Sequence, residues 1–167
     1  MKSLMITGVL VLSLSGLLAS TNDLLRTREL FYKASGSKHD AEVFKAFLAS
    51  SPDVDRAILL AYQGMYYMIK ANLSWNPYEK LSFFNKGKNM LEEAIARNPA
   101  NMELRFLRFC VQSNAPVFLG YSSKLDEDKN SILQAYSSSK DIDLKKRIKT
   151  FITENTASSD NEKILLK

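Results

Sequence analysis

Residues 57–71 read AILLAYQGMYYMIKA, and the class of the fold follows from this stretch. Ala57, Leu60, Ala61, Gly64, Tyr67, Met68 and Ala71 recur at three- and four-residue intervals. That period places them on one stripe of an α-helix. Asp53 stands just upstream as the predicted N-cap, where a carboxylate accepts the free amides of a first helical turn. The same grammar continues in both directions. Upstream, residues 24–34 predict a helix closed by Ser35-Gly36-Ser37. Residues 40–49 predict a second, with Val43, Phe44, Phe47 and Leu48 on one face and Ser50-Ser51-Pro52 as its stop. Downstream, Asn76-Pro77 joins a capping residue to a proline at the first helical position. Leu81, Phe84, Gly87, Leu91, Ala94 and Ile95 then form a buried face. Asn98-Pro99-Ala100-Asn101 is a turn with a fresh cap. Residues 102–112 predict a helix that separates Phe106, Leu107, Cys110 and Val111 from Arg105, Arg108 and Gln112.

The loop 113–121 holds Pro116 and Gly120 yet carries Val117, Phe118, Leu119 and Tyr121, so it is expected to pack down. Two further helices follow, one around Ile132, Leu133 and Tyr136, the other carrying Leu144, Ile148, Phe151 and Ile152. No alternating strand pattern competes with these periods. The expected fold is all-α, an antiparallel array of helix pairs with about seven helices.

Length and composition set the frame for function. Met1-Lys2, an uncharged apolar run over 4–19 and the small residues Ala19 and Ser20 have the three parts of a secretory signal peptide. The run is diluted by Gly8, Ser13, Ser15 and Gly16 and falls short of the roughly 20 apolar residues of a spanning helix. The expected organisation is a signal peptide at 1–20, a helical domain at 21–154 and a polar tail at 155–167, in a periplasmic or secreted protein. An uncleaved N-terminal anchor is the alternative. The formal net charge is +5, one unit of which is Lys2, and this mild excess favours acidic partners only weakly. Nucleic acid is not expected as a partner. The single cysteine, Cys110, excludes an internal disulfide, so the domain must rest on its apolar core.

Part of this pattern resembles a tetratricopeptide repeat. Gly87, Leu91, Ala94 and Pro99 match the spacing of small, bulky, alanine and proline positions in that family's second helix. Leu60, Gly64 and Tyr67 fit its first helix, with Gln63 where leucine is usual. The family sets its two small positions about 12 residues apart, whereas Gly64 and Gly87 are 23 apart, with an extra segment from Leu73 to Phe83 between them. A following repeat fits after a one-residue shift, with Phe106 and Cys110 at its bulky and small positions. The resemblance implies a scaffold that holds a peptide or partner in a groove and does no catalysis. The run Arg105-Phe106-Leu107-Arg108 through Pro116 and Phe118-Leu119-Gly120-Tyr121 also resembles a segment of exported bacterial proteins, which implies export and no particular activity.

The chemistry-bearing residues favour the same reading. His39 is the only histidine and has no second ligand near it in sequence, so neither zinc nor any other cofactor is expected. Cys110 sits on the apolar face of its helix, as an inert buried thiol would. Ser35-Gly36-Ser37-Lys38 and Ser137-Ser138-Ser139-Lys140 match Ser-x-x-Lys, but the Lys-Thr-Gly element of penicillin-recognising enzymes is absent. Glu92 and Glu93 are adjacent on a helix and point apart. Asp126-Glu127-Asp128 lacks the spacing of a calcium loop and is expected to be a solvated helix start. Asn72-Leu73-Ser74 is a glycosylation sequon, relevant only in a eukaryotic source. Lys145, Lys146 and Arg147 offer a weak contact with a membrane surface. The predicted partner-binding surface is the aromatic group Tyr62, Tyr66, Trp75, Tyr78 and Phe83, since aromatics anchor interfaces. The function expected is a non-catalytic exported binding or scaffolding domain. A small envelope hydrolase with a site assembled only in three dimensions, or a peripheral membrane protein, are the rival expectations.

Overall fold

The computed structural model describes residues 21–50 and 52–155. Its described residues form seven α-helices and no strand: α1 (residues 21–34), α2 (Lys38–Ala49), α3 (Arg56–Leu73), α4 (Pro77–Arg97), α5 (Met102–Asn114), α6 (Leu125–Tyr136) and α7 (Ile142–Asn155). A short 3-10 turn, Val117–Leu119, lies between α5 and α6. The all-α class expected from the periodicity is what the chain adopts, with α2 packed on α3 and with α5 packed on α6 and α7. Residues 1–20, expected to be a signal peptide, lie outside the described residues, as does the tail beyond Asn155.

The caps explain where the helices begin. Ser37 starts α2: its Oγ accepts the Asp40 amide at 3.1 Å and donates to the Asp40 carboxylate at 2.6 Å, a reciprocal cap. Asn76 Oδ1 accepts the Tyr78 amide at 2.9 Å, ahead of Pro77. Asn101 Oδ1 accepts the Glu103 and Leu104 amides at 2.9 and 3.2 Å. At α3 the expectation is corrected. Asp55 is the cap, accepting from Ala57 at 2.9 Å and Ile58 at 3.1 Å, while the Asp53 amide donates to Asp23. Two carboxylates two residues apart both suit an N-cap, and only the start of the helix chooses between them.

The chain divides into two compact units, one ending at Met90 and one beginning at Leu91, where the sequence alone suggests one domain. In the first unit α3 is buried on more than the expected stripe. Ala57, Ala61 and Gly64 are covered, and so are Ile58, Tyr62, Met65 and Ile69. A helix apolar nearly all round is a central helix. Phe31, Phe44 and Tyr62 pack as a triad, with ring centroids 5.5 to 6.3 Å apart. Phe44 is fully buried, and hiding a side chain of that size contributes about 1.5–3 kcal/mol.

Gly87 and Gly64 are pressed together as the spacing predicts. A Cβ on Gly87 would stand 2.6 Å from the Gly64 carbonyl oxygen. The extra segment between the two small positions turns out to be helix from Pro77 onward. It lengthens α4 to 21 residues and leaves only a short connector around Trp75.

In the second unit Phe106, Phe109, Ile132, Tyr136, Leu144, Ile148 and Ile152 form one cluster, with Phe151 set edge-on to both phenylalanines at 5.8 Å. The loop after α5 departs from expectation. Val117 is 95 % and Phe118 85 % exposed. The loop is tethered instead through Tyr121, whose hydroxyl donates to Glu92, and Gly120 takes a left-handed φ of 60° to end the 3-10 turn. A polar anchor fixes the segment without burying its apolar tip.

Candidate functional site

The first unit contains a groove with a volume of about 560 Å³, within the range of small-molecule sites. Three pieces of chain build it. The start of α2 supplies Lys38, Ala41 and Glu42. The end of α3 supplies Lys70 and Leu73. The connector and the first turns of α4 supply Ser74, Trp75, Asn76, Glu79 and Phe83. The segment from 74 to 83, anomalous in the repeat spacing, therefore makes much of the lining.

Hydrogen bonds hold this wall in place. Ser74 Oγ donates to Glu79 Oε2 at 2.8 Å and accepts the Asn76 amide at 3.2 Å. Across the groove, Tyr66 Oη donates to Glu42 Oε1 at 2.8 Å, and Lys45 approaches the other carboxylate oxygen at 3.4 Å. The Tyr66 hydrogen bond, followed by the lysines, holds the Glu42 carboxyl below its ordinary range. Burial, and then the Glu42 carboxylate, push the Tyr66 hydroxyl far above that of a free tyrosine. The floor is cationic and aromatic. Lys70 Nζ lies 4.5 Å from the Phe83 ring centroid and 5.9 Å from that of Tyr66. Phe83 stacks on Tyr67 at 6.3 Å, and Lys86 sits 4.1 Å from the Tyr67 centroid. Such contacts contribute about 0.5–1 kcal/mol each at exposed sites.

The five aromatic residues predicted as a partner surface take different places. Trp75 lines the groove and is 93 % exposed. Phe83 lines it half-buried. Tyr78 is exposed on the first turn of α4. Tyr66 is buried and meets the groove lining through its bond to Glu42 and the Lys70 ammonium near its ring, and Tyr62 is buried against Phe31 and Phe44, presenting no surface. Their helical spacing on α3 marks them as a stripe, and a stripe alone does not say which side faces solvent.

The second unit holds a buried charge network that the periodicity concealed. Arg108 bonds Asp128 twice, Nε to Oδ2 at 2.6 Å and Nη2 to Oδ1 at 2.8 Å, and bonds Glu92 through Nη1 at 2.7 Å. Arg105 bridges Asp128 at 2.9 Å and Glu127 at 2.7 Å. Burial works against the charge on Arg108, and the Asp128 and Glu92 carboxylates more than offset it, so its pKa rises. Lys124, then Arg105, draws Glu127 down to about 2. Burial, then Glu92, raises Tyr121. The expectation of a solvated helix start is thus corrected at Asp128, which is fully buried. Arg108 and Gln112, placed on a polar face by the sequence pattern, are each only 4 % exposed. Every acid in the network already has cationic or hydroxyl partners, so its chemistry is that of a structural clamp.

The remaining candidates are scattered. His39 is exposed in α2, and Cys110 packs partly covered against the second unit's apolar cluster, where burial pushes its thiol well up. Ser35 Oγ donates to the Tyr32 carbonyl at 3.0 Å, Ser37 caps α2, and Ser139 accepts the Asp141 amide. Among the described residues no three His, Cys, Asp or Glu gather as a metal would require, and no helix is long and apolar enough to cross a membrane. Of the basic group on α7, Arg147 is paired with Asp143 at 2.8 Å and Lys145 lies 4.7 Å from the Tyr136 centroid, leaving Lys146 exposed. No family model, curated protein or solved structure matches the chain.

Proposed function

We propose that this chain is a non-catalytic, exported helical domain that binds a protein or peptide partner, built on tetratricopeptide-like helix pairing. The observation that carries the reading is Trp75, almost wholly exposed at a formed groove. Exposing an indole costs hydrophobic free energy unless a partner covers it, and tryptophan is among the commonest interface anchors. The close Gly64–Gly87 approach and the bulky residues beside it support the repeat-like pairing. Export rests on the apolar run at 4–19.

The test is a crosslinking pull-down with the full chain exported from its native host, comparing wild type with W75A and Y78A. Both positions are exposed, so neither variant should unfold the domain. A partner captured by wild type and lost from the variants is the expected result. Partners that ignore both substitutions, or no partner with a folded bait, would remove the reading.

A further inference from the structure

The groove is balanced in charge. Its lining holds Lys38 and Lys70 against Glu42 and Glu79. Glu42 accepts from Tyr66 and Lys45, Glu79 accepts from Ser74, and the Lys70 ammonium lies near the Phe83 and Tyr66 rings. With two cations set against two anions, the lining offers no net attraction to a segment of either sign. What it leaves uncovered is apolar. Trp75 is almost wholly exposed, in a lining shared with the half-buried Leu73 and Phe83.

The second unit carries the converse feature. Val117 and Phe118 stand side by side, both almost wholly exposed, and among the described residues no other two chain neighbours are large, apolar and so exposed. Residues 113–123 carry no charged side chain. The turn that presents the pair is fixed. The Leu119 amide donates to the Pro116 carbonyl and the Gly120 amide to that of Val117, each at 3.0 Å, and Tyr121 anchors the segment on Glu92. An apolar tip held in one shape loses little freedom on docking.

We infer that the groove of one copy takes the Val117–Phe118 tip of a second copy. Phe118 lies against Trp75 and Phe83, in the kind of aromatic contact that anchors interfaces. The charged groups of the lining keep the bonds they have, because an uncharged segment asks for none of them. This names the partner in the binding function proposed above and rests on that reading. The contact joins two different patches, so association runs head to tail or closes by reciprocal exchange between two copies. Its drive is apolar, so sodium chloride should leave it in place.

Sedimentation velocity of the full chain across a range of concentrations tests this. The expected result is a mass that rises with concentration in wild type. W75A and F118S should each weaken self-association about 30-fold, the loss of one buried aromatic anchor. Helical circular dichroism should not change, because both positions are exposed. Mixing the variants isolates the contact. W75A keeps its tip and F118S keeps its groove, so together they should form a mixed pair that neither forms alone. Association of either variant at wild-type strength, or no gain on mixing, would overturn the inference. So would a wild-type chain that stays a single copy. If the pull-down still captures a different protein through Trp75, the binding function stands without this inference; if it captures none, both fall. Binding of a non-associating chain to phosphatidylglycerol vesicles, lost on F118S, would also overturn it and assign the tip to a lipid surface.

Discussion

The guanidinium of Arg108 faces the carboxylate of Asp128 with two hydrogen bonds, at 2.6 and 2.8 Å, and both side chains are buried. This pair ties α5 to α6 at a point where periodicity would place solvent. Taking two charges out of water costs several kcal/mol per ion, and only full pairing offsets it.

Removing one partner should therefore be far worse than removing both. D128A is expected to destabilise the chain by about 3–5 kcal/mol, because it leaves Arg108 buried and short of charge. The double variant R108M/D128L should recover much of that loss. Urea denaturation followed by circular dichroism gives both numbers. A D128A variant within about 0.5 kcal/mol of wild type, the range of ordinary surface changes, would show that water reaches the pair.

Gly87 and Gly120 are glycines for different reasons, and alanine separates them. At Gly87 the new Cβ would stand 2.6 Å from the Gly64 carbonyl, so the helices must shift. Overpacking of this kind costs about 1–3 kcal/mol, against a helix-propensity gain of about 1 kcal/mol. At Gly120 there is open space but φ is +60°, and the left-handed conformation costs an L-residue about 1–2 kcal/mol. G87A should alter the packing of α3 against α4, seen in aromatic NMR shifts of Tyr67. G120A should leave those shifts alone and affect only the loop near Tyr121.

The fold class was legible because its signals are local. The stripe from Ala57 to Ala71, the Asn76-Pro77 start and the Asn101 cap each follow from neighbours in the chain. The Gly64–Gly87 approach was legible too, through spacing. The charge clamp was not. Arg108 and Asp128 are 20 residues apart, and charged residues at helical spacing look like a solvated face until a second helix covers them. The groove was half legible. The single tryptophan and a surplus segment flagged the connector, but spacing could not say that Tyr62 on α3 is buried while Phe83 on α4 lines the groove.

Acid should loosen the α5–α6 contact through Glu127. Its folded pKa is drawn to about 2 from an ordinary 4.5, chiefly by Lys124 and Arg105. A depressed carboxyl contributes stability that is full above the unfolded value and is lost as pH falls through the folded one. The Glu127 share of stability should thus fade between about pH 4.5 and 2. Thermal melts across that window should show a steeper decline for wild type than for E127Q. Parallel declines would mean that Glu127 is not held by these cations in solution.

Tyr66 and Glu42 make a paired titration test at the groove. In Y66F the carboxyl loses its main hydrogen-bond donor, so its pKa should rise towards 4.5. NMR titration of the Glu42 side-chain carboxyl reads this directly. Wild type should titrate below the ordinary range, and an unchanged value in Y66F would contradict the assigned bond.

Gln112 sets up the opposite case to Arg108. It stands one helical turn further along α5, equally buried, yet neither its amide nitrogen nor its oxygen meets a partner. A buried polar group without a partner costs about 1–3 kcal/mol, and an apolar group of the same shape avoids that penalty. Gln112→Met keeps nearly the same length and volume, and methionine adapts to irregular gaps. The variant should therefore be more stable than wild type by about 1 kcal/mol, the lower end of that penalty. A midpoint in urea that rises with an unchanged slope would confirm it. A midpoint that falls would mean that the amide is satisfied in solution, most simply by a buried water bonded to several polar groups. Gln112→Glu supplies the control. A new carboxylate beside the Arg108 network would strain it if the pocket is dry, so this variant should lose stability at neutral pH and regain part of it as the carboxyl is protonated.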